Sequence, residues 1–336
     1  MTKLTNCILN KNLSCVPVWF MRQAGRYLPE FQEIRSQNKD FIKLCLNSNL
    51  SSEITLQPMK RFDLDAAIIF SDILIVPFAL GQEVIFKKNE GPHLSPLNLK
   101  SFLDNNEEDF VKKLNPVYEA IKITKKKLNK EKSLISFVGG PWTLIVHMFG
   151  LKNTKNQLDI VKLKSLDSKI KITLEQINKY LCAHIINQVK AGADIVQIFD
   201  SWAGLLPEEK LVDYCYEPNK KIVDFCKYNN IPVICFPKGL KHNYVNFGDS
   251  VKPNCLSLDY DVEPSWAKKN LNNFCLQGGM NPKILFKKQD EIFKEVDKYL
   301  DFFKDHPYVF NLGHGLLPET NPDIVQKVIE RVKKFK

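Results

Sequence analysis

Eight apolar or β-branched runs recur along this chain, at 16–21, 66–70, 134–138, 194–199, 231–236, 255–258, 274–277 and 308–312, most of them separated by segments of helical periodicity. A strand that is apolar throughout, with no polar alternation, is covered on both faces, and one that returns through a helix enters its sheet parallel. The pattern predicts an α/β chain with a parallel sheet under helices. Eight is the number that closes a (β/α)8 TIM-type barrel. No linker, low-complexity tract or solenoid repeat interrupts residues 1–336, so a single domain is expected.

The segments between the runs carry helix signals. Val111, Leu114, Tyr118 and Ile121 recur every three or four residues after Glu107, as do Leu174, Ile177, Leu181, Ile185 and Val189 before a stop at Gly192. Near the end of the chain, Asn321 and Pro322 supply an N-cap and a first-turn proline ahead of Ile324, Val325, Val328 and Val332. Two stretches depart from the repeat. Residues 82–94 place Lys87-Lys88-Asn89-Glu90-Gly91 between short apolar runs, which reads as a short hairpin inserted after the second strand. Residues 152–171 are polar and lysine-rich, and read as an exposed helix or the edge of a lid.

Active sites of such barrels lie at the C-terminal ends of the strands, so the residues following each run are the candidates. After the first run come Arg22, Gln23, Ala24, Gly25 and Arg26. Only five of the 48 basic residues are arginine, and two stand in this pentapeptide. A guanidinium binds carboxylate or phosphate through a planar fork that lysine lacks, so the pair points to anion binding. An ion pair with Glu30 or Glu33 is the competing reading. The later runs are followed by Ser71-Asp72, the segment from Gly139 to Thr143, Asp200-Ser201-Trp202, Pro237-Lys238-Gly239, Asp259, the segment from Gly278 to Pro282, and Gly313-His314-Gly315. Asp72 is flanked on both sides by apolar residues, a setting that raises a carboxylate pKa unless a cation or several donors oppose it. It reads as a fixed negative charge, with a helix N-cap as the alternative. His314, between two glycines, is the most exposed-looking histidine, whereas His184 falls on a helix face and reads as structural.

Other classes lose their support. No G-x-G-x-x-G, Walker loop, H-E-x-x-H or G-x-S-x-G occurs. The nine cysteines form no C-x-x-C pair and behave as small core residues of a reducing compartment, so a cytoplasmic location is expected. The longest apolar run is too short and too interrupted to span a bilayer, and no secretory leader is recognisable. A net charge of +10 would suit a polyanion, but the lysines are spread over helix faces and nothing resembles a nucleic-acid recognition element.

Five motifs, in order, carry a resemblance: the segment from Met21 to Phe31, the segment from Ile69 to Leu74, the segment from Gly140 to Leu144, Phe199 to Gly204, and Phe310 to Gly315. The chain resembles the uroporphyrinogen decarboxylase family nearly end to end. That resemblance implies a (β/α)8 barrel, a homodimer, and conversion of uroporphyrinogen III to coproporphyrinogen III by turning four acetate arms into methyls, with neither cofactor nor metal. It implies that Arg22 and Arg26 contact substrate carboxylates, that Gln23, Ala24 and Gly25 line the same loop, and that Phe31 lies near the substrate. It further implies that Asp72 faces the pyrrole N–H groups while Ser201 and His314 meet the acetate and propionate arms. Arg22 is the candidate acid. One departure stands out: a tyrosine usual after the Pro-Trp-Thr-Leu motif is here His147, which would put an imidazole in place of a phenol contact. The rival readings are a zinc-dependent methyltransferase on a similar barrel, which needs a His-x-Cys ligand pair where this chain has Val233 and Cys235, and a non-catalytic tetrapyrrole carrier.

Overall fold

The computed structural model describes residues 1–87, 91–153, 155 and 157–335. Seven parallel strands form one sheet: β1 (Ala66–Ile68), β4 (Ser133–Gly139), β5 (Ile195–Asp200), β6 (Val233–Pro237), β7 (Cys255–Leu258), β8 (Cys275–Gly278) and β9 (Tyr308–Val309). Each pairs with the next in chain order, as in Ile135 opposite Ile195 and Cys255 opposite Cys275. Helices cover the outer face. Two further strands, β2 (Val84–Lys87) and β3 (Gly91–Leu94), form a separate antiparallel pair; the expected turn between them includes residues 88–90, outside the described residues.

The first apolar run corrects the expectation of eight regular strands. It is extended between β9 and β1, but its ladder is reduced to one parallel bridge, Val18 to Phe310. Trp19 N–H donates to the Phe310 carbonyl at 3.3 Å, and Phe310 N–H to that of Pro17 at 2.8 Å. On the other side Asp65 N–H donates to the Val18 carbonyl at 2.8 Å. Pro17 has no N–H to give, and three other backbone donors go to side chains instead of a neighbouring strand. Val18 N–H reaches Asp65 Oδ2 at 2.9 Å, Phe20 N–H reaches Gln23 Oε1 at 3.1 Å, and Met21 N–H reaches Asn311 Oδ1 at 3.1 Å. The seam is closed by side chains.

Residues at even spacings along the strands turn to the interior, as the pleat requires. Ile195 and Phe199, Ile234 and Phe236, Ile135 and Phe137 pack there with Trp19, Met21, Cys255 and Cys275. Midway up, Trp19 Nε1–H donates to Gln277 Oε1 at 2.9 Å and Gln277 Nε2–H to Ser257 Oγ at 3.1 Å, so the buried polar layer satisfies much of itself. A second core lies between sheet and helices.

The helices follow their end signals. Glu107–Lys127 opens on the Asn106 cap, with Glu107, Glu108 and Asp109 in its first turn and Lys125, Lys126 and Lys127 in its last, which sets each charge against the opposite pole of the helix dipole. Asp167–Lys190 ends before Gly192, whose φ of 118° suits glycine. Pro322–Lys334 opens on Asn321 and buries Val325, Val328, Ile329 and Val332. In the lysine-rich stretch, Lys152 and Leu158 share an antiparallel bridge and Ile160–Ser165 is helical; residues 154 and 156 lie outside the described residues. Among the described residues, no helix is long and apolar enough to cross a membrane.

Candidate active site

A cavity of about 740 Å³ opens at the C-terminal ends of the strands. Its floor is the top interior layer, Met21, Ile68, Phe137, Phe199 and Phe236. One wall is a row of aromatic rings, with Phe31 to Phe70 at 5.6 Å, Phe70 to Phe41 at 5.8 Å and Phe41 to Phe86 at 4.8 Å between centroids. Arg22, Ala24, Gly25, Arg26, Phe31, Asp72, Ser201 and His314 all line this one space. Residues spread over nearly the whole chain are therefore brought together by barrel closure.

The arginine loop is a built turn. Gln23 is fully buried and holds it from beneath: Oε1 accepts from Phe20 N–H, Nε2–H donates to the Ala66 carbonyl at 3.0 Å, and the Gln23 carbonyl accepts from Tyr27 Oη–H at 2.8 Å. Those bonds take the Gln23 side chain off the cavity wall and place it under the loop. Arg22 sits at φ 61°, in the left-handed region, which turns its side chain over the cavity. Burial and the neighbouring Arg26 both disfavour its charged form, while Asp72 favours it. A guanidinium stays protonated under such pressure, which leaves it strongly disposed toward an anion. Of the two competing partners, Glu30 is taken by Arg61 in a two-pronged contact at 2.9 and 3.0 Å.

Asp72 follows a strand end clamped by the Ser48–Arg61 helix. Ser51 Oγ–H donates to the Phe70 carbonyl at 2.6 Å and Phe70 N–H donates to Thr55 Oγ1 at 2.8 Å. Asp72 Oδ1 accepts from Leu74 N–H at 2.8 Å, an Asx turn two residues on, and Leu74 rather than Asp72 caps the short helix that follows. The carboxylate lines the cavity. Burial pushes its pKa up to about 6, against the pull of the Leu74 amide and Arg22.

His314 is pushed down to about 4 by burial and by the charges of Arg22 and Lys238, so the imidazole is neutral at pH 7 and can both donate and accept a hydrogen bond. The glycines beside it are required by space: a Cβ on Gly313 would fall 2.4 Å from Tyr260 N. His147 does not face the cavity. Its Nε2 accepts from the indole N–H of Trp202 at 3.1 Å.

Arg35 is on the wall as well, 5.5 Å above the Phe41 ring, and the sequence reading gave it no role. The scarcity of arginine that singled out Arg22 and Arg26 applies equally to Arg35. Phe41, Phe86 and Pro92 carried no comparable signal, because apolar residues line cores far more often than cavities. Among the described residues, no three His, Cys, Asp or Glu side chains gather in a way that could hold a metal ion.

Comparison with known proteins shows the family and the fold. Residues 1–335 match the family model described as "Uroporphyrinogen decarboxylase (URO-D)". A uroporphyrinogen decarboxylase from Orientia tsutsugamushi (strain Boryong) is 40% identical over 346 residues, covering 100% of this chain and 99% of that protein. One from Jannaschia sp. (strain CCS1) is 38% identical over 340 residues, covering 98% of each. Among solved structures, a methyltransferase from Methanosarcina mazei superposes with a TM-score of 0.81 at 17% identity, covering 99% of this chain and 97% of that one, a likeness of fold.

Proposed function

The chain belongs to the uroporphyrinogen decarboxylase family, and from that premise we propose that the cavity holds uroporphyrinogen III with its pyrrole N–H groups on Asp72 and its carboxylate arms on Arg22, Arg26 and Arg35. The reaction is the loss of carbon dioxide from the acetate arms, which yields coproporphyrinogen III after four rounds. One observation carries the assignment: Asp72 and Arg22 share one cavity and feel each other's charge there.

An acetate on a pyrrole cannot lose carbon dioxide until the electrons of the breaking C–C bond have somewhere to go. A proton added to the adjacent ring carbon turns the pyrrole into a cation that accepts them. Carbon dioxide then departs and leaves an exocyclic methylene on a neutral ring. A proton delivered to the methylene makes the methyl, and loss of the first proton restores the aromatic ring, so each round consumes one proton. No electron leaves the substrate.

In this scheme Asp72 supplies fixed negative charge to the N–H groups and to the ring cation. An ionised carboxylate over an apolar floor is worth several kcal/mol to a developing cation, on the order of a hundredfold to a thousandfold in rate. Arg22 and Arg26 bind arms and restrain their rotation, which lowers the barrier by positioning. Arg22, charged and closest to Asp72 in electrostatic effect, is the candidate donor of the ring proton. Ser201 and His314 meet further arms, and Phe31 with the aromatic wall bounds the macrocycle. The nine cysteines are unpaired, as a reducing cytoplasm would keep them, and a homodimer is the expected assembly.

Anaerobic incubation with uroporphyrinogen III, followed by separation of the products by carboxylate number, tests the reading. Hepta- to tetracarboxylate products are expected, and Asp72→Gly should give none. Unchanged octacarboxylate bound tightly to the protein would identify a carrier instead.

A further inference from the structure

Trp202 is held at each of its polar atoms. Its backbone N–H donates to Thr143 Oγ1 at 3.0 Å, its carbonyl accepts from Trp142 Nε1–H at 3.1 Å, and its indole Nε1–H donates to His147 Nε2 at 3.1 Å. All three partners lie on one short helix, Pro141–Met148. Lys152 Nζ stands 3.7 Å from the centre of the indole ring, so the ring is gripped on its face as well as at its edge.

The residue on the other side of Ser201 is fastened to the same helix. Asp200 Oδ1 accepts from Thr143 N–H at 3.0 Å and from Thr143 Oγ1–H at 2.7 Å, while Oδ2 accepts from Asn219 Nδ2–H at 2.8 Å. Gly140 makes that contact possible, since a Cβ there would fall 2.4 Å from Asp200 Cβ. Ser201 faces the cavity between two neighbours, both docked on Pro141–Met148. His147 is the outermost of these fastenings, and an indole N–H has no acceptor capacity, so Nε2 must carry the lone pair.

We propose that His147 is a positioning residue, which holds Ser201 against the substrate by fixing Trp202 and does not itself touch the substrate. This deepens, and rests on, the reading of the cavity as the uroporphyrinogen site. The physical cause is the pairing of a half-buried indole N–H: without an acceptor it loses its hydrogen bond, Trp202 is freed at its edge, and the Ser201 hydroxyl is no longer confined to one place. Burial and Lys152 push the His147 pKa down to about 4, so the acceptor form persists through the physiological range.

A double-mutant cycle read by the anaerobic assay tests this. His147→Leu, which keeps bulk and removes the acceptor, should raise KM for uroporphyrinogen about 10-fold and change kcat less, while His147→Gln, whose amide oxygen can accept, should recover most of that loss. In a Ser201→Ala background His147→Leu should add less than about 2-fold, because its effect runs through the missing hydroxyl. Trp202→Phe, which removes the donor, should match His147→Leu and guard against a variant that fails to fold. The Trp202 indole proton, assigned with Trp202→Phe, should move upfield in His147→Leu and stay in place in Ser201→Ala. Additive losses in the cycle, or a glutamine as poor as the leucine, would overturn the inference alone. A wild-type protein that makes no product, or a Ser201→Ala variant with unaltered kinetics, would overturn the reading of the site and this inference with it.

Discussion

The side chain of Arg22 lies along the backbone of Gly315, so close that a Cβ built on the glycine would fall 2.4 Å from Arg22 Cδ and 2.6 Å from Cγ. Arg22 enters the cavity from the first strand segment and Gly315 from the loop after the last, so the two ends of the barrel meet at the guanidinium. The closing bond is nearby: Leu316 N–H donates to the Met21 carbonyl at 2.9 Å. A methyl at position 315 must displace the Arg22 stem. Gly315→Ala should lower kcat/KM by about 10²-fold through lost positioning, with a much smaller effect on the melting temperature. Steady-state kinetics beside thermal unfolding check this split; equal damage to both would mean a folding defect.

Asp72 trades stability for charge. Its folded pKa of about 6 exceeds the ordinary 3.8, so the native state binds the extra proton between those values and the ionised form costs stability above pH 6. That cost is relieved as the pH falls through 6. Asp72→Asn should therefore melt higher than wild type at pH 8, by on the order of 1 kcal/mol after allowance for water in the cavity, and the gap should close near pH 4. The same variant should lose at least about 10²-fold in kcat. A lower melting temperature at pH 8 would contradict the desolvation argument.

The same ionisation predicts a pH profile. If the carboxylate form is the working one, kcat/KM falls on the acid side with an apparent pKa of about 6 and a slope of one decade per pH unit. Stopped assays between pH 5 and 8 measure it, and a profile flat to pH 5 would exclude Asp72 as the titrating group.

Three imidazoles, His184 buried and His147 and His314 half-buried, act in the opposite direction on stability. Burial holds His147 and His314 at about 4 and His184 at about 3, all below the ordinary 6.5, so the native state binds fewer protons than the unfolded chain below pH 6.5. Stability conferred by their neutral forms is complete above 6.5 and is lost as the pH falls toward 4. His184 Nδ1 lies 3.0 Å from Tyr118 Oη, a pairing that Gln can partly reproduce. The urea midpoint should drop from pH 7 to pH 5, and His184→Gln should flatten that slope by about one proton's worth.

The barrel seam depends on one carboxylate. Asp65 Oδ2 accepts from Val18 N–H at 2.9 Å while Oδ1 meets Lys333 Nζ at 2.6 Å, which ties the first segment to the last helix. Asp65→Ala leaves a buried N–H unpaired and should cost about 3 kcal/mol; Asp65→Asn, which keeps an acceptor for Val18, should cost about 1 kcal/mol. Denaturant titrations of both variants give the comparison.

Much of this architecture is legible in the amino-acid sequence alone. Apolar runs separated by 3.6-residue periodicity announce a parallel sheet under helices because each pattern permits only one way of burying its surface, and the capped helices at Asn106 and Asn321 fall where their cap residues stand. Arg22 and Arg26 stood out by scarcity, and Asp72 by its apolar flanks. The first run misled on regularity, because Pro17 and three side-chain acceptors interrupt a ladder that residue type alone would have continued.

Periodicity and capping act over a few residues, and these local forces, written in the sequence, determined the helices, most of the strands and the charge character of the rim. Only the tertiary structure decided that Gln23 turns beneath its loop, that Arg35 joins the cavity wall, and that His147 grips Trp202. Each of those outcomes depends on which partner lies within about 3 Å after the barrel closes. Hydrogen bonds between residues far apart in the chain are selected by packing, and packing is a property of the whole.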